Sequence, residues 1–415
     1  MRTDLDRLMA ERKLDALMVM GNSSGNSVMN YLTGGLHLEG AMIVKRQGGP
    51  LTLIHGAMER DAAATTGMAL VNRDEHYNRY ELLRKHEGNH LAAAIDMYSQ
   101  IIADQGLTGR LGIYGKMDVG EGFSLLTQLA DRLDQGTKLV GEYGRSLFQA
   151  ARETKDDGEL AELAEAGRLT CEVVGEVQTF IQSHRVKDEV VIQATGDPLT
   201  IGHVKAFIRE RLHRVGLSED HGNIFAQGRD AGVPHNSGDL TMPLRLGRSI
   251  VFDIFPQRPS GYFHDMTRTW SLGYATDEVQ QAWEQTKTIF DQVMASLRVG
   301  EPCRSYQELT CDFYEGLGHK TARSHPGTKE GYVHSLGHGI GLDVHEGPGF
   351  SHAAGNDAVV QPGHVVTIEP GLYYPDLPDD KGFGVRIEDA VAFNEAGELV
   401  WLTNYPYDLV IPMKG

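Results

Sequence analysis

The feature that most constrains this chain is a pair of carboxylates that recurs in two hairpin-like segments. Residues 249–256 (SIVFDIFP) and 262–272 (YFHDMTRTWSL) are rich in β-branched and aromatic residues and flank a QRPSG turn, so they read as an antiparallel hairpin. Directly opposed residues in such a hairpin have a constant index sum. With the turn centred on Pro259, Asp253 and Asp265 are expected to face each other. A second hairpin repeats the arrangement: residues 364–374 (HVVTIEPGLYY) and 383–393 (FGVRIEDAVAF) flank 375–382, and Glu369 and Glu388 are equidistant from that turn's centre. Like charges opposed on a sheet repel, and burying an unpaired carboxylate costs several kcal/mol or forces its protonation. Any one of these acids is explained by a solvated strand face or by a partner such as Arg258, Arg268 or Arg386. Two symmetric pairs are better explained by a cation held between them. The symmetry also suggests a duplicated helix-plus-hairpin unit.

Between the hairpins, residues 332–348 (YVHSLGHGIGLDVHEGP) carry His334, His338 and His345. His334 and His338 have helical spacing, but Gly337, Gly339 and Gly341 oppose a helix, and the HExxH pattern of zinc peptidases is absent. A lone histidine is more often a hydrogen-bonded core or surface residue. A neutral imidazole beside carboxylates is nevertheless a normal metal ligand, and the glycines would let backbone approach a ligand closely. Four carboxylates plus histidine suit hard divalent ions, Mn²⁺ first, with Co²⁺ or Zn²⁺ admitted through the imidazole. The inventory fits two such ions sharing carboxylates and a water, an arrangement that acidifies the water and polarises a carbonyl. That is hydrolytic chemistry.

The rest of the sequence bounds the setting. A net charge of −18 over 415 residues argues against a nucleic-acid binder and against docking on an anionic membrane. No apolar run is long enough to span a bilayer, and the charged N-terminus lacks a signal-peptide core. Three cysteines without a CxxC pair point to a reducing, cytoplasmic setting. Residues 1–155 alternate helix and strand signals, with a hairpin at 40–54 and helices at 2–12, 91–102 and 121–133, and read as an α/β domain without a GxGxxG loop. The charged run 152–159 (RETKDDGE) marks a boundary. Residues 156–415, with helices at 160–182, 198–215 and 277–297 followed by hairpins, read as an α+β domain.

The stretches VFDIFP…GYFHDMTRTW, HSLGHGIGLDVHEGP, TIEPGLYY and GVRIEDAV, in that order, resemble the signature of the pita-bread metallopeptidases, which include aminopeptidase P, prolidase, methionine aminopeptidase and creatinase. The resemblance covers about residues 160–415, and residues 1–155 resemble the smaller creatinase-type N-terminal domain. It implies a pita-bread fold of two pseudo-twofold halves and five metal ligands: Asp253, Asp265, His338, Glu369 and Glu388. It further implies substrate-contacting His235 and His345, His334 and Arg386 lining the pocket, and Glu369 as proton shuttle. The long N-terminal domain and complete ligand set imply an Xaa-Pro peptidase acting on proline-containing di- or oligopeptides. An Xaa-Pro dipeptidase (prolidase-like) is favoured over aminopeptidase P, with a non-catalytic binding protein of the same fold as a further alternative. Relatives commonly dimerise, and Lys45 or Arg46 is then either a contact to a neighbouring site or part of a solvated turn.

Overall fold

The computed structural model describes residues 4–414, and the chain divides into two compact units, Met1–Arg152 and Glu153–Gly415. The first unit is built on a mixed six-stranded sheet: β1 (Ala16–Met20), β2 (Met42–Arg46), β3 (Leu51–His55), β4 (Ala69–Asn72), β5 (Gly109–Gly115) and β6 (Thr137–Val140), in the order β4-β3-β2-β1-β5-β6. Met18, Met20, Val44, Ile54 and Leu111 pack beneath the helices His90–Asp104 and Val119–Arg132 through Ile95, Ile102, Leu125 and Leu129. The expected hairpin forms, but its cation is spent internally. Lys45 is buried, with its ammonium 2.9 Å from the Asp6 carboxylate.

The charged run that suggested a boundary resolves into a short connection and a helix start. Asp156 accepts a hydrogen bond from the Glu159 N–H, and the Glu159 side chain accepts one from Asp156 N–H. This reciprocal cap opens the helix Asp157–Gln182.

The second unit repeats one plan: two helices, then a sheet. A small pair, β7 (Arg185–Lys187) and β8 (Val190–Ile192), lies between the helices Asp157–Gln182 and Ile201–Arg214. Strands β9 (Asn223–Gln227), β10 (Ser249–Ile254) and β11 (Met266–Leu272) follow. The second half supplies helices Asp277–Ser296 and Cys303–Gly316. Its strands are β12 (Gly337–Gly339), β13 (Glu346–Phe350), β14 (Val365–Ile368), β15 (Gly371–Tyr374), β16 (Phe383–Arg386), β17 (Asp389–Phe393), β18 (Leu399–Trp401) and β19 (Val410–Ile411). The sheets run β19-β11-β10-β9 and β13-β12-β14-β17-β18, with β15-β16 extending the second hairpin. The two halves meet at a bridge in which Thr267 and Glu388 exchange backbone hydrogen bonds.

Each half has its own core. Ile250, Phe252, Ile254, Trp270 and Leu272 pack against Val173, Val177, Val204 and Ile208 of the first helix pair. Ile368, Leu372, Val385, Val391 and Phe393 pack against Ile289, Phe290, Val293 and Tyr314 of the second. Because side chains alternate along a strand, the residues between these apolar ones point away from the helices. Those residues include Asp253, Thr267, Glu369 and Arg386. The period-2 pattern thus buries one face under helices and turns the other, acid-bearing face inward.

Candidate metal centre

The second hairpin has the expected register. Val365 pairs with Ala392, Ile368 with Asp389, and Gly371 with Arg386, so Glu369 and Glu388 occupy facing positions between β14-β17 and β15-β16. The first hairpin differs. Asp253 pairs with Thr267 and Ile254 with Met266, so the turn is centred one residue later than Pro259 and Asp265 is not directly opposite Asp253. The reason is a turn closed by Arg258 N–H to Tyr262 O, with Gly261 at φ +96°. The shift moves Asp265 two positions from the expected partner. Parity is therefore kept, and both aspartates stay on the same face of the sheet.

All nine candidate residues line one cavity of about 690 Å³, together with Phe255, Pro234 and Ser335. Among the described residues, Asp265, His338 and Glu388 offer ligand atoms that all lie within 4.8 Å of one another. His338 Nε2 is 3.8 Å from Asp265 Oδ2 and 3.6 Å from Glu369 Oε1. Its Nδ1 lies 3.1 Å from the Gly339 carbonyl, which can only accept, so Nδ1 carries the proton and the Nε2 lone pair faces the acids. Burial, with His345 beside it, lowers the His338 pKa to about 4, which keeps the ring neutral. The two rings lie 4.4 Å apart, edge to face.

The acids are buried against one another. Burial and then the charges of Glu388, Asp253 and Glu369 push the Asp265 pKa well up. Burial and then Glu388 do the same to Glu369. Burial and then Asp253 raise Glu388 to about 8. Asp253 Oδ1, Asp265 Oδ1 and Glu388 Oε1 are buried without a hydrogen-bond partner. Buried oxygens of this kind are costly unless something positive meets them. The donor set, carboxylates plus one neutral imidazole nitrogen, is what a divalent cation accepts.

Arg386 meets only part of this charge. It donates to Asp253 Oδ2 at 2.5 Å, to Thr267 Oγ1 at 3.1 Å and to Tyr373 Oη at 2.8 Å. Thr267 Oγ1 in turn donates to Glu388 Oε2 at 2.7 Å. Tyr373 Oη lies 2.8 Å from His334 Nε2, while His334 Nδ1 donates to Ser335 O at 2.7 Å, so the ring is a neutral acceptor toward the tyrosine. Burial, then Arg386, lowers the His334 pKa to about 3. Thr267 and Tyr373 were not singled out from the sequence. Their only signal was membership of the inward-facing parity beside the acids. The glycines around His338 serve backbone packing: a Cβ on Gly337 would lie 2.0 Å from Thr367 O, and one on Gly339 would lie 1.9 Å from Gly347 O.

Residues 161–395 match the model of metallopeptidase family M24. The chain belongs to metallopeptidase family M24. It is 31% identical over 265 residues to the probable dipeptidase PepE of Mycobacterium tuberculosis, an alignment covering 64% of this chain and 62% of that protein. It is 31% identical over 288 residues to the putative dipeptidase YkvY of Bacillus subtilis, covering 67% of this chain and 70% of that one. A solved Xaa-Pro dipeptidase from Bacillus anthracis superposes with a TM-score of 0.75 at 21% identity, over 98% of both chains. The fold of this M24 chain is therefore the pita-bread architecture preceded by an α/β domain, and its family works with divalent metal.

Proposed function

We propose that this chain hydrolyses the Xaa-Pro peptide bond as a two-metal Xaa-Pro dipeptidase. The observation that carries the reading is the set of inward-facing carboxylates and one neutral imidazole on a single cavity wall, with three buried oxygens lacking partners. Asp253, Asp265, His338, Glu369 and Glu388 would hold two divalent ions. Mn²⁺ suits the carboxylate-dominated set best, and Co²⁺ or Zn²⁺ is admitted through His338. When bound, the ions supply positive charge that acidifies water and polarises the scissile carbonyl.

The chain's own residues do the remaining work. Glu369 takes a proton from the attacking water and passes it to the departing proline nitrogen. His235 and His345 line the cavity and donate to the carbonyl oxygen as it gains charge. His334, pinned by Ser335 and Tyr373, shapes the substrate's side of the cavity, and Arg386 holds Asp253 and Tyr373 there. The domain division lies near residue 155, and the first unit restricts substrate length and forms contacts between two copies of a cytoplasmic homodimer. With Lys45 committed to Asp6, Arg46 is the exposed cation of its hairpin.

The dipeptidase names of PepE and YkvY support this reading over aminopeptidase P. Turnover of an Xaa-Pro dipeptide against an Xaa-Pro-Yaa tripeptide tests it. Fast dipeptide and slow tripeptide hydrolysis is expected. Rapid tripeptide cleavage would make the chain an aminopeptidase P, and no cleavage of either with no bound metal would make it a non-catalytic relative.

A further inference from the structure

Glu346 follows His345 directly, yet neither metal binding nor proton transfer uses it. Its carboxylate folds back into the 341–346 loop. Oε1 accepts the N–H groups of Leu342 at 2.9 Å and Asp343 at 3.0 Å. Oε2 accepts from the Lys155 ammonium at 3.0 Å, and the two side chains are only 4% and 1% exposed. Gly341 makes room for this, since a Cβ there would lie 2.8 Å from Glu346 Oε2. The loop is fixed on its outer side as well: Gly341 O accepts the Phe263 N–H at 2.8 Å, two residues before Asp265. Lys155 is anchored by its own N–H to Gly363 O at 2.8 Å, beside the Thr154–His364 bridge. His345 thus sits on a short loop with a carboxylate at its centre and a buried cation behind that carboxylate.

We infer that Lys155 and Glu346 are positioning residues for His345. The buried pair closes the loop so that the imidazole is held against His338 and toward the cavity. A buried ion pair is a poor source of stability, because apolar replacements are often as stable or more so. It does fix geometry, since one carboxylate here orders two backbone N–H groups and one ammonium at once. The inference rests on the substrate-contacting role proposed for His345.

The test uses the full-length, metal-loaded enzyme. Glu346→Gln and Lys155→Met are each expected to lower kcat on an Xaa-Pro dipeptide about 10–100-fold, as a misaimed group does, with bound metal unchanged. Lys155→Arg keeps most of the activity. In a His345→Ala background, Glu346→Gln costs less than about twofold more, because residues acting through one another are not additive. An equal loss in both backgrounds, or full activity of both single variants, overturns the inference. Should those variants fold poorly, Glu346→Asp keeps the charge and shortens its reach; reduced kcat at an unchanged melting temperature supports the inference, and wild-type kcat overturns it. A wild type inactive on Xaa-Pro dipeptides would sink the functional reading instead. Crystal structures of wild type and Glu346→Asp would then decide the inference, with a displaced His345 supporting it and an unmoved one overturning it.

Discussion

Asp96 in the first unit and Asp265 in the second are both buried aspartates, and their surroundings act on them with opposite signs. Asp96 accepts hydrogen bonds from Lys85 at 2.7 Å, His86 at 2.9 Å and Gln100 at 3.2 Å. The lysine, then the histidine, hold its carboxyl well below the usual range. Asp265 faces Glu388, Asp253 and Glu369, and burial with those charges pushes its pKa well up. The chain compensates the first acid from its own side chains, whereas the second group has only Arg386 beside it and keeps buried oxygens without a partner. Asp389 sharpens the point. It follows Glu388 in sequence but points to the other face, where Arg268 stands 2.8 Å away, over the Tyr407 ring. On that face Asp389 has an arginine and the Tyr407 hydroxyl to itself, whereas on the inner face Arg386 is shared among several acids.

The largest effect is expected in the uncompensated cluster. Asp265→Ala or His338→Ala should cut Xaa-Pro dipeptide turnover by roughly 10³-fold or more, with bound metal falling in parallel in elemental analysis. Full activity without metal would break the contrast. Glu369→Gln keeps the shape and should lower kcat by about 10²–10⁴-fold while some metal stays bound. Retained activity would remove Glu369 from the proton-shuttle role.

The pH dependence of the metal-stripped protein comes next. Glu388 has its folded pKa raised from 4.5 to about 8, so its contribution to stability is fully present below the lower value and is lost as pH rises through the higher one. Urea melts of the stripped protein should show lower stability near pH ~9 than near pH ~6, and added divalent ion should remove the difference. Asp96 has the opposite sign: its folded pKa is lowered from 3.8, so its contribution is present above that value and is lost as pH falls. The smallest effect is expected from Asp96→Asn, about 1 kcal/mol in denaturant melts because Lys85 is largely exposed and screened, with kcat unchanged.

Much of the acid-bearing face was legible because strand parity survives small errors. The second hairpin keeps the register its turn implies, since both arms stay in step across Glu369 and Glu388. The first hairpin's turn is centred one residue later than its sequence implies, which a count of turn residues could not reveal, yet the resulting two-position offset leaves Asp253 and Asp265 on one face. The helix Cys303–Gly316 escaped notice because its buried face is Cys303, Tyr306, Gln307, Thr310, Cys311 and Tyr314, a stripe that periodicity of strongly apolar residues does not register. The link from His334 through Tyr373 and Arg386 to Thr267 depends on strands from both halves meeting, and no local pattern announces that. Lys45 looked like a free turn cation, and Asp6, far away in sequence, takes its charge.

The most direct test is a calorimetric titration of Mn²⁺ into metal-free protein, run beside Asp265→Asn and Glu388→Gln. The wild type is expected to bind two ions per chain and to regain dipeptide hydrolysis as it does so, while each variant binds fewer or more weakly. A wild type that binds no divalent ion yet hydrolyses the dipeptide, or variants that bind as the wild type does, would contradict that expectation.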